Sequence, residues 1–176
     1  MIIKDVNVEN PFLHWEYIEC NNKIVIDLGC GRWEHVEYRD QTWLTTPEYL
    51  IHKGATKVFA FDIDQKEINW FNENLSSKHP IFPICKAISS TGDVREILNN
   101  YNPSVVKCDI ETHEVGFLNL TDAEFRRIDF YALETHGDDI HAAFLSKFKT
   151  LNYDIVAVIN LVHANPMKAI FAKKIV

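Results

Sequence analysis

The chain has 176 residues, 47% of them apolar, enough for one compact domain with a full core and little more. Its net charge of −7 and pI near 5.6 argue against a broad nucleic-acid footprint, since binding a phosphate backbone needs clustered Lys and Arg and the pair Lys173-Lys174 is too small to supply it. No stretch approaches the length of an uncharged membrane span, and MIIKDVNVEN lacks a basic segment followed by an apolar run, so neither a span nor a leader is expected.

Runs rich in β-branched and aromatic residues recur at 23–28, 57–61, 81–85, 104–108, 128–133, 153–159 and 168–176. Residues 1–22 stand ahead of the first run as an N-terminal extension of a single domain spanning 1–176. Segments with helical spacing separate the first five runs, and that alternation predicts a mostly parallel sheet. Thr46-Pro47 suits a helix cap and first helical position, and Gly54 suits the stop after it. Asp64 starts an amphipathic segment through Leu75, and Thr121-Asp122-Ala123-Glu124 has the form of a capping box. The last two runs are joined by residues 160–167, too few for a crossover helix, so they should pair antiparallel. Such a terminal hairpin would leave an edge strand to be blunted by Lys173 and Lys174. The expected sheet has seven strands, five of them parallel. Trp70-Phe71 and the stripe Phe144, Phe148, Leu151 read as core, and His52, His79, His141 and His163 as surface or locally packed residues.

Chemistry concentrates at the ends of these runs. Val25-Ile26-Asp27-Leu28-Gly29-Cys30-Gly31 is a strand opening into a turn, where glycines at 29 and 31 permit unusual backbone conformations and close ligand approach. The second run ends in Asp62, placed to accept hydrogen bonds from ribose hydroxyls. Together they point to a nucleoside-containing cofactor. Between Gly31 and Asp62 the chain is longer than a dinucleotide fingerprint requires. The excess, residues 33–46 with Trp33, His35, Tyr38 and Trp43, reads either as a flap over the site or as an extended helix packing aromatics on the sheet. Cysteines at 20, 30, 85 and 108 form no CxxC pair, and such thiols are expected in a reducing, cytoplasmic setting.

These motifs resemble those of class I S-adenosylmethionine-dependent methyltransferases. Val105-Val106-Lys107-Cys108-Asp109-Ile110-Glu111-Thr112-His113-Glu114 is similar to the Lys-x-Asp-x-Glu-Gly-x-Glu signature of the FkbM family. Ala87-Ile88-Ser89-Ser90 with Gly92, Tyr131-Ala132-Leu133-Glu134-Thr135-His136 and Leu151-Asn152-Tyr153 are similar to further segments of that family, over residues 23–172. The sequence departs from the pattern at Thr112, where glycine is usual, at Trp33, where many methyltransferases have a third glycine, and at Asp62, where glutamate is commoner. The resemblance implies an α/β, Rossmann-like, doubly wound sheet with a C-terminal antiparallel hairpin. It also implies S-adenosylmethionine as cofactor, S-adenosylhomocysteine as product, and transfer of a methyl group to a hydroxyl of a sugar, glycolipid or other small molecule.

On this reading Asp27, Gly29, Cys30, Gly31, Asp62, Ile63, Ala87, Ile88 and Asp109 form the cofactor site. Asp27 fixes the loop or reaches the methionine ammonium, Asp62 takes the ribose hydroxyls, and Ile63 with Ala87 or Ile88 lines the adenine. Lys107, Asp109 and Glu111 alternate along one strand and so face one side, with Glu111 and Glu114 reaching its carboxyl end. Asp109 and His136 are the candidate bases, with Glu111, His113 and Lys107 as further catalytic candidates, although Lys107 and Asp109 also suit a structural ion pair. Asp109, Glu111 and Glu134 are weak candidates for a metal, since no spacing here is diagnostic, and none is expected. A cofactor-binding module without turnover and a nicotinamide-dependent oxidoreductase are the alternatives. The latter normally seats a pyrophosphate after a third glycine that this chain lacks.

Overall fold

A computed structural model describes residues 1–6, 15–31, 45–161 and 167–175. Most of segment 33–46, its residues 33–44, lies outside the described residues, and so does His163. The described strands are β1 (Ile2–Val6), β2 (Ile24–Leu28), β3 (Lys57–Asp62), β4 (Ile81–Cys85), β5 (Val105–Cys108), β6 (Phe130–His136), β7 (Tyr153–Leu161) and β8 (Met167–Lys174). Helices α1 (Thr46–His52), α2 (Gln65–Asn74), α3 (Thr91–Tyr101), α4 (Val115–Leu118), α5 (Asp122–Phe125) and α6 (Asp138–Thr150) connect them.

The strands form one sheet in the order β1-β7-β8-β6-β5-β2-β3-β4. β8 runs antiparallel between β6 and β7, as its short connection requires, and every other pairing is parallel. The sheet has eight strands rather than the expected seven. Ile2–Val6, read from sequence as part of an extension, pairs in parallel with Ala157–Leu161 and covers the edge that the hairpin was expected to expose. Lys4 and Asp5 interrupt its apolar pattern, which an edge strand tolerates and a buried one does not.

Alternate residues of each strand feed two cores, one per sheet face. Val25, Val58, Val105, Ala132 and Phe171 pack with Trp15, Leu50, Ile68 and Phe71 on one side. Ile26, Phe61, Val106, Tyr131 and Ile170 pack with Val94, Phe117, Phe144 and Phe148 on the other. The helices begin where their caps dictate. Asp64 accepts from the Lys66 amide at 2.8 Å, and Thr121 and Glu124 close the expected capping box. The α1 cap is Thr45 rather than Thr46: its side chain accepts from the Glu48 amide, which puts Thr46 and Pro47 inside the first turn.

Behind α5 the Tyr153 hydroxyl donates to the Ile128 carbonyl at 2.6 Å and to Phe125 at 3.1 Å, and Tyr131 donates to Phe125 at 3.0 Å. Tyr153→Phe would leave the Ile128 carbonyl without this donor in a nearly dry core. The expected loss is about 1–3 kcal/mol, read as a lower urea midpoint at unchanged slope. An unchanged midpoint would mean that water serves that carbonyl instead.

Candidate active site

β2 and β5 are neighbours, yet the chain proceeds from β2 towards β3 on one side and from β5 towards β6 on the other. Their carboxyl ends therefore border the crevice where open α/β sheets bind ligands. A cavity of about 360 Å³ lies there, lined by Gly29, Phe61, Asp62, Ile63, Lys86, Ala87, Ile88, Ser89, Asp109, Ile110, Glu111 and His113.

The glycine turn is built by close approach. Gly29 has φ +74°, and a Cβ there would overlap the Asp109 carbonyl oxygen and lie 2.9 Å from its carbon. Its amide donates to the Phe61 carbonyl at 2.9 Å, tying the turn to β3. Gly31 differs from the sequence expectation of shared backbone freedom. Its φ is not positive, and among the described residues a Cβ there would meet only Asp62 Oδ2, at an ordinary 3.6 Å. Asp62 ends β3, and its Oδ1 accepts from the Asp64 amide at 2.8 Å. Ile63 beside it is 74% exposed, an apolar side chain left open to solvent at the cavity rim.

Beneath the turn lies a buried ion pair. Lys107 Nζ is 3.0 Å from Asp27 Oδ1 and donates to the Gly29 carbonyl at 2.7 Å, with Asp109 Oδ2 at 4.0 Å and the Trp15 ring centroid at 5.1 Å. Burial alone would discharge Lys107, but Asp27 and Asp109 hold its ammonium well above the ordinary lysine range. Burial pushes Asp27 up against the pull of Lys107, and Asp27 Oδ2 has no hydrogen-bond partner among the described residues. Lys107 does not line the cavity, and its contacts are those of an internal strut. Cys30 is fully buried, and burial raises its thiol well above the usual range. Of the nine expected cofactor residues, Gly29, Asp62, Ile63, Ala87, Ile88 and Asp109 line the cavity, while Asp27, Cys30 and Gly31 do not.

The second cluster surrounds His136 at the end of β6. Its backbone amide donates to Glu114 Oε1 at 2.7 Å, and its Nδ1 lies 3.2 Å from the same oxygen. Nε2 lies 3.5 Å from Glu111 Oε2, 3.8 Å from Asp109 Oδ1 and 3.9 Å from Glu134 Oε1. The Glu114 hydrogen bond, aided by the other carboxylates, raises the imidazole to about 9. Burial raises Asp109 to about 7 against the opposing effect of Lys107. Burial would raise Glu114 too, but its bonds to His136 hold it below the usual range.

The structure thus brings Asp109, Glu111, Glu134 and His136 together and leaves His113 at the cavity wall. Glu114, expected at the strand end beside the ligand, is instead wholly buried under His136. β5 stops at Cys108, and Glu111 and Thr112 follow with φ +46° and +73°. Thr112 keeps a left-handed conformation without glycine, which costs a β-branched residue roughly 1–3 kcal/mol. Sequence reasoning missed Phe61, Lys86, Ser89 and Ile110 as lining residues, although each adjoins one that was singled out.

Solved structures share this fold. TrmK from M. capricolum, in complex with its natural cofactor product S-adenosylhomocysteine, is 19% identical, with a TM-score of 0.60 over 92% of this chain and 66% of that one. The ribosomal protein L11 methylase from Lactobacillus delbrueckii subsp. bulgaricus is 12% identical, with a TM-score of 0.57 over 93% and 76%. The precorrin-6y C5,15-methyltransferase from Geobacter metallireducens is 16% identical, with a TM-score of 0.57 over 96% and 88%. This is the Rossmann-like methyltransferase fold. At these identities the likeness is one of fold, and the chain spans just under two thirds of TrmK. No protein-family model matches the sequence, and no curated protein does. Among the described residues no helix is long and apolar enough to cross a membrane.

Proposed function

We propose that the chain is an S-adenosylmethionine-dependent O-methyltransferase acting on a hydroxyl of a sugar, glycolipid or other small molecule, as the FkbM-like run from Lys107 to Glu114 implies. The observation that supports this reading is the cavity at the β2–β5 crevice, whose lining includes a carboxylate, apolar side chains and a glycine main chain of the kinds a nucleoside cofactor needs. Asp62 takes the ribose hydroxyls. Ile63, Ala87 and Ile88 offer apolar surface to the adenine. Gly29 lets the methionine portion approach the main chain, and Asp27 fixes that turn from beneath through Lys107, which donates to the Gly29 carbonyl.

When bound, S-adenosylmethionine supplies an electrophilic sulfonium methyl: the acceptor oxygen forms a bond to carbon as the carbon–sulfur bond breaks, and the electron pair stays on sulfur. Holding the acceptor in line supplies most of the acceleration, and a positioned base adds roughly 10²–10⁴-fold. Asp109, at the cavity wall 3.8 Å from His136, and the carboxylates beside it are the groups that receive the hydroxyl proton.

Thermal unfolding with S-adenosylhomocysteine at about 100 times its dissociation constant should add roughly 2.7 kcal/mol. For a domain of this size that is a rise of several degrees. NAD should add nothing, and Asp62→Ala, which removes the ribose acceptor at the cavity rim, should abolish the rise while leaving the unliganded midpoint nearly unchanged. A rise with NAD alone, or with neither ligand, would overturn the reading in favour of an oxidoreductase or a different ligand.

A further inference from the structure

The His136 ring is held in an unusual way. Its side chain is 9% exposed, and Nε2 is buried with no hydrogen-bond partner among the described residues. Around that nitrogen stand three carboxylates at 3.5–3.9 Å, too far to accept a hydrogen bond from it yet close enough to share something between them. One ligand atom each from Asp109, Glu111 and His136 lies within 4.8 Å of the others. Glu114 meanwhile engages Nδ1, and a carboxylate there holds a proton on Nδ1, so that an ion replacing the proton on Nε2 would meet that nitrogen's lone pair on the side of the acids. A carboxylate behind a histidine whose far nitrogen faces further carboxylates is the arrangement that supports metal-bound imidazole.

We propose that Asp109, Glu111 and His136, backed by Glu134, bind a divalent transition ion of the Mn²⁺ type at the wall of the cofactor cavity. Resting on the methyltransferase reading, we assign this ion the task of holding the acceptor hydroxyl. Without an ion the protonated His136 ring and Lys107 offset these acids, and a divalent ion would take over that role by displacing the proton from Nε2. Two carboxylates and one imidazole form a mixed oxygen and nitrogen set, which suits Mn²⁺ better than Mg²⁺ with its preference for oxygen and retained water. Ligand atoms around such an ion sit closer together than these do. Glu111, with its side chain 83% exposed, has room to swing inward and complete the set. A hydroxyl coordinated beside Asp109 would be oriented towards the methyl group and acidified, and its proton would still pass to the surrounding carboxylates.

The test is a titration of the full chain, stripped with EDTA and dialysed, with Mn²⁺, the free ion being read by electron paramagnetic resonance. One ion per chain is expected, with Mg²⁺ a poor competitor. Glu111→Gln should weaken binding at least tenfold, and His136→Gln should abolish it. Because Glu111 is exposed, its variant should unfold at the parental temperature, so lost binding there cannot be laid to misfolding. Absence of Mn²⁺ binding by the parent, or parental affinity in both Glu111→Gln and His136→Gln, would overturn the ion site. S-adenosylhomocysteine binding measured on the same metal-free samples keeps the two readings apart: its loss strikes the cofactor assignment and leaves the ion site standing, and its persistence without Mn²⁺ binding does the reverse.

Discussion

Gly29→Ala is expected to be among the most damaging single substitutions in this protein, lowering stability by roughly 4 kcal/mol or more and abolishing cofactor binding. A Cβ at this φ of +74° would overlap the Asp109 carbonyl, a main-chain atom that no rotamer change can move aside. Either the β2 turn or the end of β5 must shift, and each carries part of the site. Gly31→Ala is the control. Among the described residues its Cβ would meet only Asp62 Oδ2, at 3.6 Å, so the unliganded protein should unfold near the parental temperature and any loss should appear in S-adenosylhomocysteine binding. Thermal melts of the two variants with and without ligand decide the matter. If Gly29→Ala melts within a degree or two of the parent, the close approach of these two backbones does not exist in solution.

Lys107→Met is expected to cost about 3–5 kcal/mol, because it leaves the Asp27 carboxylate in the core without its cation. The Gly29 carbonyl loses its donor in the same stroke. Asp27→Leu combined with Lys107→Met removes both charges, so the double variant should regain much of the lost stability while still failing to bind the cofactor. Urea unfolding of the parent, the single and the double variant gives the three midpoints needed. Equal midpoints for the single and double variants would show that the two side chains do not act as a pair.

Much of this architecture is legible in the sequence because local signals and tertiary demands coincide. The apolar runs at 23–28, 57–61 and 104–108 are buried strands, and buried parallel strands carry no polar face to blur their reading. Asp62, Ile63 and the Ala87-Ile88 pair reach the cavity because strand ends in such sheets converge there. What stayed hidden is either marginal in composition or distant in sequence. Ile2–Val6 is an edge strand whose Lys4 and Asp5 break the pattern. The α1 cap falls one residue early because two threonines stand side by side and only tertiary packing chooses between them. Glu114 meets His136 across 22 positions, and no local periodicity reports a contact of that kind. The Gly29-x-Gly31 spacing marks the turn, yet only the structure shows that one of its glycines answers to main-chain crowding and the other does not.

The pairing of β1 with β7 joins the two most distant neighbours in the sheet, Ile2 with Ala157. β2 to β6 can pair among themselves as synthesis proceeds, while β1 has no partner until β7 has been made. Contacts of such long sequence separation are slow to form, so a nascent chain holds its apolar Ile2 and Ile3 unpaired until nearly all the rest has emerged.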